Sequence, residues 1–370
     1  MDILSDINPV EKRIVSKATI AEIPISATFE LTPICNFRCE MCYVRMDKNR
    51  VESFGGIKEY DYWLRLANEL KKEGTLFLLL TGGEPLLYPN FLGLYIALKK
   101  MGFIITINTN ATLITEEVAD VFSKYPPRRI NVTLYGADND DYRSVCKVES
   151  GFDRCIRGVE LLKKYNIATK FTLTLIENNR KSYQRMIELA MRLDIHATIN
   201  AYTSVYMRSQ CGSCDSILNV RMLPEDAAAL EVEYLKYSKK EEFGKYMALM
   251  SVLSQSQQTS LPEGLKLSCR AGRSSCWINW QGVMTPCVDM DEPSVNLNNE
   301  NFHDAWRAIV QKCKKLTPHS ECKDCTLKHA CDICYANASN EKRVNGSVCY
   351  LCKMAEAKRD IFSSFNVDKQ

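Results

Sequence analysis

Three cysteines crowd one short stretch, Leu31-Thr-Pro-Ile-Cys35-Asn-Phe-Arg-Cys39-Glu-Met-Cys42-Tyr43, with the spacing Cys-x3-Cys-x2-Cys. Three thiolates on one loop can cap three irons of a cubane cluster, whereas an ordinary four-iron cluster takes four. The next cysteine along the chain is Cys146, more than a hundred residues on. An iron left without a protein ligand is an open position that can bind substrate, as catalytic metal sites do. The plain alternative is a trio of structural or zinc-binding cysteines. The stretch Thr81-Gly82-Gly83-Glu84-Pro85 weighs against it. It follows the next strand-like run, and glycines there let backbone approach a ligand closely.

A second set of thiols lies near the other end. It reads Cys269-x6-Cys276-x5-Gly282-x4-Cys287, then Cys322-x2-Cys325-x5-Cys331-x2-Cys334, then Cys349 and Cys352. Two Cys-x2-Cys pairs can make a tetrahedral zinc site, although the five residues between these pairs are fewer than in a typical ribbon. Cys211-Gly-Ser-Cys214 could ligate a cluster, trap a radical or bond transiently to substrate; a loop with two unlinked thiols is equally open. Asp289, Asp291 and Glu292 follow Cys287 and are candidate acids or bases, against the alternative of a solvated acidic turn. With four histidines in the chain, histidine acid–base chemistry is not prominent. Cys146, Cys155 and Cys313 fall in or beside helical patterns and read as structural.

The elements that must position these groups follow an alternating rhythm. Strands are expected at Ala27–Leu31, Leu76–Leu80, Phe103–Asn108, Arg129–Leu134, Thr169–Leu175 and Ala197–Tyr202. Helical patterns separate them; Glu59–Lys72 places Trp63, Ala67 and Leu70 on one face. Six β–α units in series predict an α/β fold with a parallel sheet, a partial (β/α)6 barrel, with a doubly wound sheet as the alternative. Ligand sites in such folds lie at the carboxyl ends of strands, where Asn108-Thr109-Asn110 and Thr133-Leu-Tyr135-Gly136 fall. The expected organisation is an N-terminal extension (1–24), the barrel core (25–223), a helical connector (224–265) and a small cysteine-rich domain (266–370), held together by metal because it lacks core.

Composition narrows the classes. The chain has 370 residues, 46% hydrophobic and 25% charged, an ordinary globular balance. A formal charge of +3 is too mild to argue for nucleic acid. The longest apolar run, Leu76–Leu80, is far short of a membrane span, and the N-terminus has no secretory pattern. A cytoplasmic protein is expected. Seventeen cysteines in so long a chain favour metal or cluster ligation over a disulfide scaffold.

The cysteine loop with its following aromatic Tyr43, and the Gly82-Gly83-Glu84 loop one β–α unit later, resemble the radical S-adenosylmethionine (SAM) superfamily. The tail resembles the SPASM extension of those enzymes. It departs in one place, where Cys331 and Cys334 enclose two residues instead of three. The resemblance implies a [4Fe-4S] cluster on Cys35, Cys39 and Cys42, whose open iron chelates SAM. Reductive cleavage then yields a 5′-deoxyadenosyl radical. Tyr43, Gly82, Gly83, Glu84, Asn110 and Thr133 would seat SAM. Two auxiliary [4Fe-4S] clusters are implied, one on Cys269, Cys276, Cys287 and Cys334. The other would take Cys322, Cys325, Cys331 and Cys349, with Cys352 competing for the last place. In the anaerobic sulfatase maturases of this group a carboxylate directly after the matching cysteine serves as base; here that position is Val288, with Asp289 one residue late. Asp289, Cys211 and Cys214 are the candidate catalytic residues. The expected function is modification of a peptide or protein side chain, with electrons from a flavodoxin or ferredoxin partner. Only 34 residues precede Cys35, too few for a leader-binding domain, which keeps a small metabolite or sugar open as substrate. A non-enzymatic cluster or zinc protein is the alternative of another class.

Overall fold

The computed structural model describes residues 9–206, 215–255, 269–317, 319–323, 325–331 and 334–365; Cys211 and Cys214 lie outside the described residues. Among the described residues nine strands form one sheet: β1 (Ser26–Glu30), β2 (Phe77–Thr81), β3 (Ile104–Thr109), β4 (Arg129–Leu134), β5 (Thr169–Thr174), β6 (Ala197–Asn200), β7 (Ser275–Ile278), β8 (Val283–Thr285) and β9 (Val295–Asn296). The helices of the first half are α1 (Pro9–Ile20), α2 (Lys48–Ser53), α3 (Tyr60–Lys72), α4 (Phe91–Lys100), α5 (Glu116–Lys124), α6 (Asn139–Cys146), α7 (Gly151–Lys164) and α8 (Tyr183–Arg192). Those of the second are α9 (Asp215–Val220), α10 (Pro224–Lys239), α11 (Phe243–Gln255), α12 (Phe302–Lys314), α13 (Ser320–Lys323), α14 (Tyr335–Asn345) and α15 (Cys349–Ser363).

The sheet order is β6-β5-β4-β3-β2-β1-β7-β8-β9. Strands β1 to β6 are parallel neighbours in chain order. A doubly wound sheet reverses its order at a switch point; this one does not, and the winding is that of a β/α barrel. The alternation within strands shows why. Along β4, Ile130, Val132 and Leu134 are fully buried in the main core, and the intervening Arg129, Asn131 and Thr133 occupy the opposite face. On β5, Phe171 and Leu173 join that core, while Lys170 and Thr172 alternate with them. One face of the sheet is therefore apolar under the helices and the other polar.

Strand β7 pairs parallel with β1, from Ser26↔Ser275 to Phe29↔Ile278, and β8 and β9 follow antiparallel. The sheet thus runs unbroken past the composition change near residue 266. At its other edge, the Tyr234 hydroxyl donates to the Ala197 carbonyl (3.0 Å) and the Ala197 N–H donates to the Tyr237 hydroxyl (3.2 Å), so α10 covers β6. The segment read as one connector is two helices, α10 and α11, broken at Lys240, whose φ is +46°. Among the described residues no helix is long and apolar enough to cross a membrane.

Candidate metal and cofactor site

The loop after β1 carries Cys35, Cys39 and Cys42, all half-buried. Backbone N–H groups point at the sulfurs: Phe37 donates to Cys35 Sγ and Arg45 to Cys42 Sγ, each at 3.3 Å. The Cys42 N–H donates to the Cys39 carbonyl at 3.2 Å, tightening the turn between them. Burial pushes the Cys35 thiol up; the Phe37 N–H opposes this, and the charges of Glu84, Cys42 and Cys39 add to it. Three clustered, partly desolvated thiols are costly to ionise without a metal, and N–H donors aimed at sulfur suit cluster-bound thiolates. The donor set fits a four-iron cluster with one iron left to another ligand.

The glycines after β2 have a different first use from the one expected. A Cβ on Gly82 would lie 2.3 Å from the Thr32 carbonyl oxygen, and one on Gly83 2.4 Å from that of Ile34. Across this contact Gly83 N–H donates to Thr32 (2.6 Å) and Glu84 N–H to Ile34 (2.9 Å). The two glycines let the loop dock on the backbone of the cysteine loop.

Glu84 is fully buried. Its Oε1 accepts from the Thr109 hydroxyl (2.8 Å) and the Leu86 N–H (3.2 Å), and its Oε2 from the Asn110 N–H (2.8 Å). Burial pushes the carboxyl up to about 7, with the hydrogen bonds from Asn110, Thr109 and Leu86 opposing the rise. Asn110 then continues the chain of contacts. Its Nδ2 donates to Asn36 Oδ1 at 2.8 Å and stands 3.9 Å from Cys35 Sγ. Its Oδ1 accepts from the Thr112 hydroxyl at 2.6 Å. The ends of β2 and β3 are thereby locked to Cys35 through Glu84 and Asn110. Thr133 lies one strand further on, half-buried opposite Thr172. Arg143 is engaged with Asp140 and Glu149 at the surface.

Behind the loop the fold delivers a thiol that sequence distance concealed. Arg38 N–H donates to the Cys146 carbonyl at 2.9 Å, and the buried Cys146 thiol stands beside Cys39. Phe37 packs edge-on against Tyr135 and Tyr142, both at 6.0 Å.

The tail reaches the same end of the barrel. The rings of Tyr43 and Tyr206 are 6.5 Å apart, and the Tyr206 hydroxyl donates to Asp291 Oδ1 at 2.6 Å. Arg343 of α14 donates to Asp291 Oδ2 at 3.1 Å, and Asn340 Nδ2 to the Asp289 carbonyl at 2.9 Å. Asp289 is half-buried, and its charge bears on Cys287, Cys334 and Tyr202. Cys269 bears on Cys287 and Cys334 as well, which places the three thiols in one neighbourhood. Cys322, Cys325, Cys349 and Cys352 form a second. Cys325 Sγ accepts from the Leu327 N–H at 3.4 Å, and Cys331 is half-buried on the same run. Cys349 and Cys352 both belong to the first turn of α15. Cys276 stands on β7, 3% exposed in the main core, where burial pushes its thiol up. Among the described residues no three His, Cys, Asp or Glu side chains are close enough together to hold a single metal ion.

The profile of the Radical SAM superfamily matches residues 29–190, the span from β1 through α8 that holds both loops. The chain carries a radical SAM domain over that span. Over 331 residues it is 23% identical to an AdoMet-dependent heme synthase of Methanosarcina barkeri, covering 85% of this chain and 92% of the relative. It is 21% identical over 340 residues to the sporulation killing factor maturation protein SkfB of Bacillus subtilis, covering 90% and 76%. Among solved structures, anSMEcpe with bound AdoMet superposes with a TM-score of 0.67 at 17% identity over 91% of this chain and 96% of that one. SuiB of Streptococcus suis bound to its precursor peptide SuiA does so at 0.64 and 19% identity, over 91% and 80%. The radical SAM domain, with relatives and structures of this kind, carries SAM, its [4Fe-4S] cluster and auxiliary [4Fe-4S] clusters as the cofactors of the group this chain resembles. A non-enzymatic role is thereby set aside.

Proposed function

We propose that this enzyme modifies a side chain of a peptide or protein by radical chemistry. The observation that carries the reading is the link between the tail and the barrel end. Tyr206, Asp291 and Arg343 tie the segment after Cys287 to the neighbourhood of Tyr43. Auxiliary thiols then flank the place where a substrate radical would form. The peptide-maturing relatives SkfB and SuiB support the substrate class.

When bound, SAM and its cluster would supply the means to abstract a hydrogen atom from substrate. The chain's own residues position and exclude water. Cys35, Cys39 and Cys42 hold the cluster, and Glu84 and Asn110 fix the loop that faces SAM, with Tyr43 and Thr133 near it. Asp289, adjoining the first auxiliary group, is placed to take a proton from an oxidised substrate. The tail thiols would hold two clusters able to take up the electron released when a substrate radical is oxidised, and a flavodoxin- or ferredoxin-type protein would supply the low-potential electron for SAM cleavage.

The test is anaerobic reconstitution, followed by iron, sulfide and zinc analysis and a SAM-cleavage assay with and without candidate substrates. About twelve irons per chain without zinc, and cleavage coupled to a mass change in a peptide, are expected. A second reading, a small-molecule substrate, is favoured by the heme synthase match along 92% of that relative. Turnover of a free tetrapyrrole, with no peptide modified, would establish it in place of the first.

A further inference from the structure

The first auxiliary group has three thiols, Cys269, Cys287 and Cys334, where the family resemblance implies four. Cys276, the expected fourth, sits opposite Ala27 on β7. Side chains two apart on a strand share a face, so Cys276 lies on the side of Ile278, and both belong to the main core with Ala27 and Phe29, as Cys313 does; the two thiols differ in what lies beside them.

Another cysteine is already between the two segments that carry the group. Cys313, near the end of α12, is 3% exposed. A Cβ on Gly272 would lie 2.3 Å from Cys313 Sγ, 3.1 Å from its Cβ, and 3.5 Å from the Cβ of Pro286. Gly272 is three residues past Cys269, and Pro286 directly precedes Cys287. The turn around Gly272 is closed by its N–H to the Ser275 carbonyl (3.0 Å) and by Ser274 N–H to the Arg270 carbonyl (2.9 Å). Its φ of +63° and its missing side chain are what admit the sulfur. The helix is held in place at its other end, where the Phe302 N–H donates to Glu69 Oε2 at 2.8 Å and Trp306 Nε1 to the Glu22 carbonyl at 2.8 Å.

We infer that Cys313 completes the ligand set of the first auxiliary cluster with Cys269, Cys287 and Cys334, and that Cys276 is a core residue. The inference rests on the reading that the tail holds two clusters. It follows that α12, which otherwise packs on α3 and β9, is fastened to the tail by the cluster as well as by packing.

The test begins from the full chain with Cys35→Ala, Cys39→Ala and Cys42→Ala, so that only auxiliary clusters remain. Iron per chain and the EPR spectrum after dithionite reduction are read for this parent, for C313S and for C276S. The parent should hold about eight irons. C313S is expected to lose about half of them or to shift one of the two EPR signals, while the other signal persists and shows the chain to be folded. C276S is expected to match the parent in both. An unchanged C313S, or a C276S that alters a cluster signal, overturns the assignment. A parent without iron overturns the two-cluster reading itself, and the inference with it.

Discussion

Gly83→Ala is the substitution whose consequence can be worked furthest. The new Cβ would lie 2.4 Å from the Ile34 carbonyl oxygen, 2.7 Å from its carbon and 2.8 Å from the Pro33 oxygen. All three are backbone atoms, so no side chain can swing away. Ordinary contact requires the two loops to part by roughly 1 Å, the interval over which overpacked groups become costly. That parting breaks the Gly83-to-Thr32 and Glu84-to-Ile34 hydrogen bonds. Two bonds at about 1 kcal/mol each, with about 1–3 kcal/mol of overpacking, give a cost of about 3–5 kcal/mol. Glu84 moves with the loop, and through Asn110 so does the group beside Cys35. Misplacement of about 1 Å near reacting groups costs on the order of a hundredfold in rate. Gly102→Ala is the control: its φ is +92° but its Cβ would meet nothing within 4 Å, so only about 1–2 kcal/mol of backbone strain is expected. The assay is 5′-deoxyadenosine formation under dithionite, with iron content measured in parallel. G83A should fall about a hundredfold and G102A should stay near wild type. A G83A enzyme with full iron that cleaves SAM at the wild-type rate would show that the docked glycine loop is not what positions this site.

Three further expectations concern single groups. Glu84 has its carboxyl raised from 4.5 to about 7 in the folded protein; its contribution to stability is therefore greatest below about 4.5 and is lost as pH rises through 7. The stability difference between wild type and E84Q in anaerobic urea titrations should move against wild type by about 3 kcal/mol between pH 5 and pH 8; a pH-independent difference would refute the burial argument. Arg221 is buried against the ring of Tyr350 at 3.2 Å and donates to the fully buried Glu341, which also accepts from Tyr202 at 2.9 Å. R221M should cost about 3–5 kcal/mol by stranding the Glu341 charge, and adding E341L should recover most of it; purely additive losses would count against a coupled pair. D289N should leave SAM cleavage without substrate intact while lowering product formation, and C211A/C214A should do the same if those thiols handle substrate; product yields equal to wild type would remove the residues concerned from the mechanism.

What could be read from the sequence divides along a physical line. The first six strands were legible because each is a short run rich in β-branched, aromatic or leucine residues closed by polar ones, and β2 and β3 end one residue later than expected because Thr81 and Thr109 stay in the ladder despite their loop-like character. Strands β7 to β9 have four, three and two residues, too few for a period to show. Helix α14 went unread for another reason: its buried positions are Ala336, Ala338, Asn340 and Glu341, so no apolar stripe marks it, and what holds it is the polar contact with Arg221 and Asp289. The cysteine loop and the glycine pair were legible because their chemistry is local spacing. The links from Glu84 through Asn110 to Asn36 were not, since Asn and Thr at a strand end are ordinary turn residues until the partner strand is known. Cys146 and Cys313 are the instructive cases. A buried thiol on a helix has the pattern of a small hydrophobic residue, and only the packing reveals that one stands beside Cys39 and the other under Gly272. Gly272 could have been the clue: its positive φ and missing side chain leave room for something to come close, and that something is the sulfur on α12.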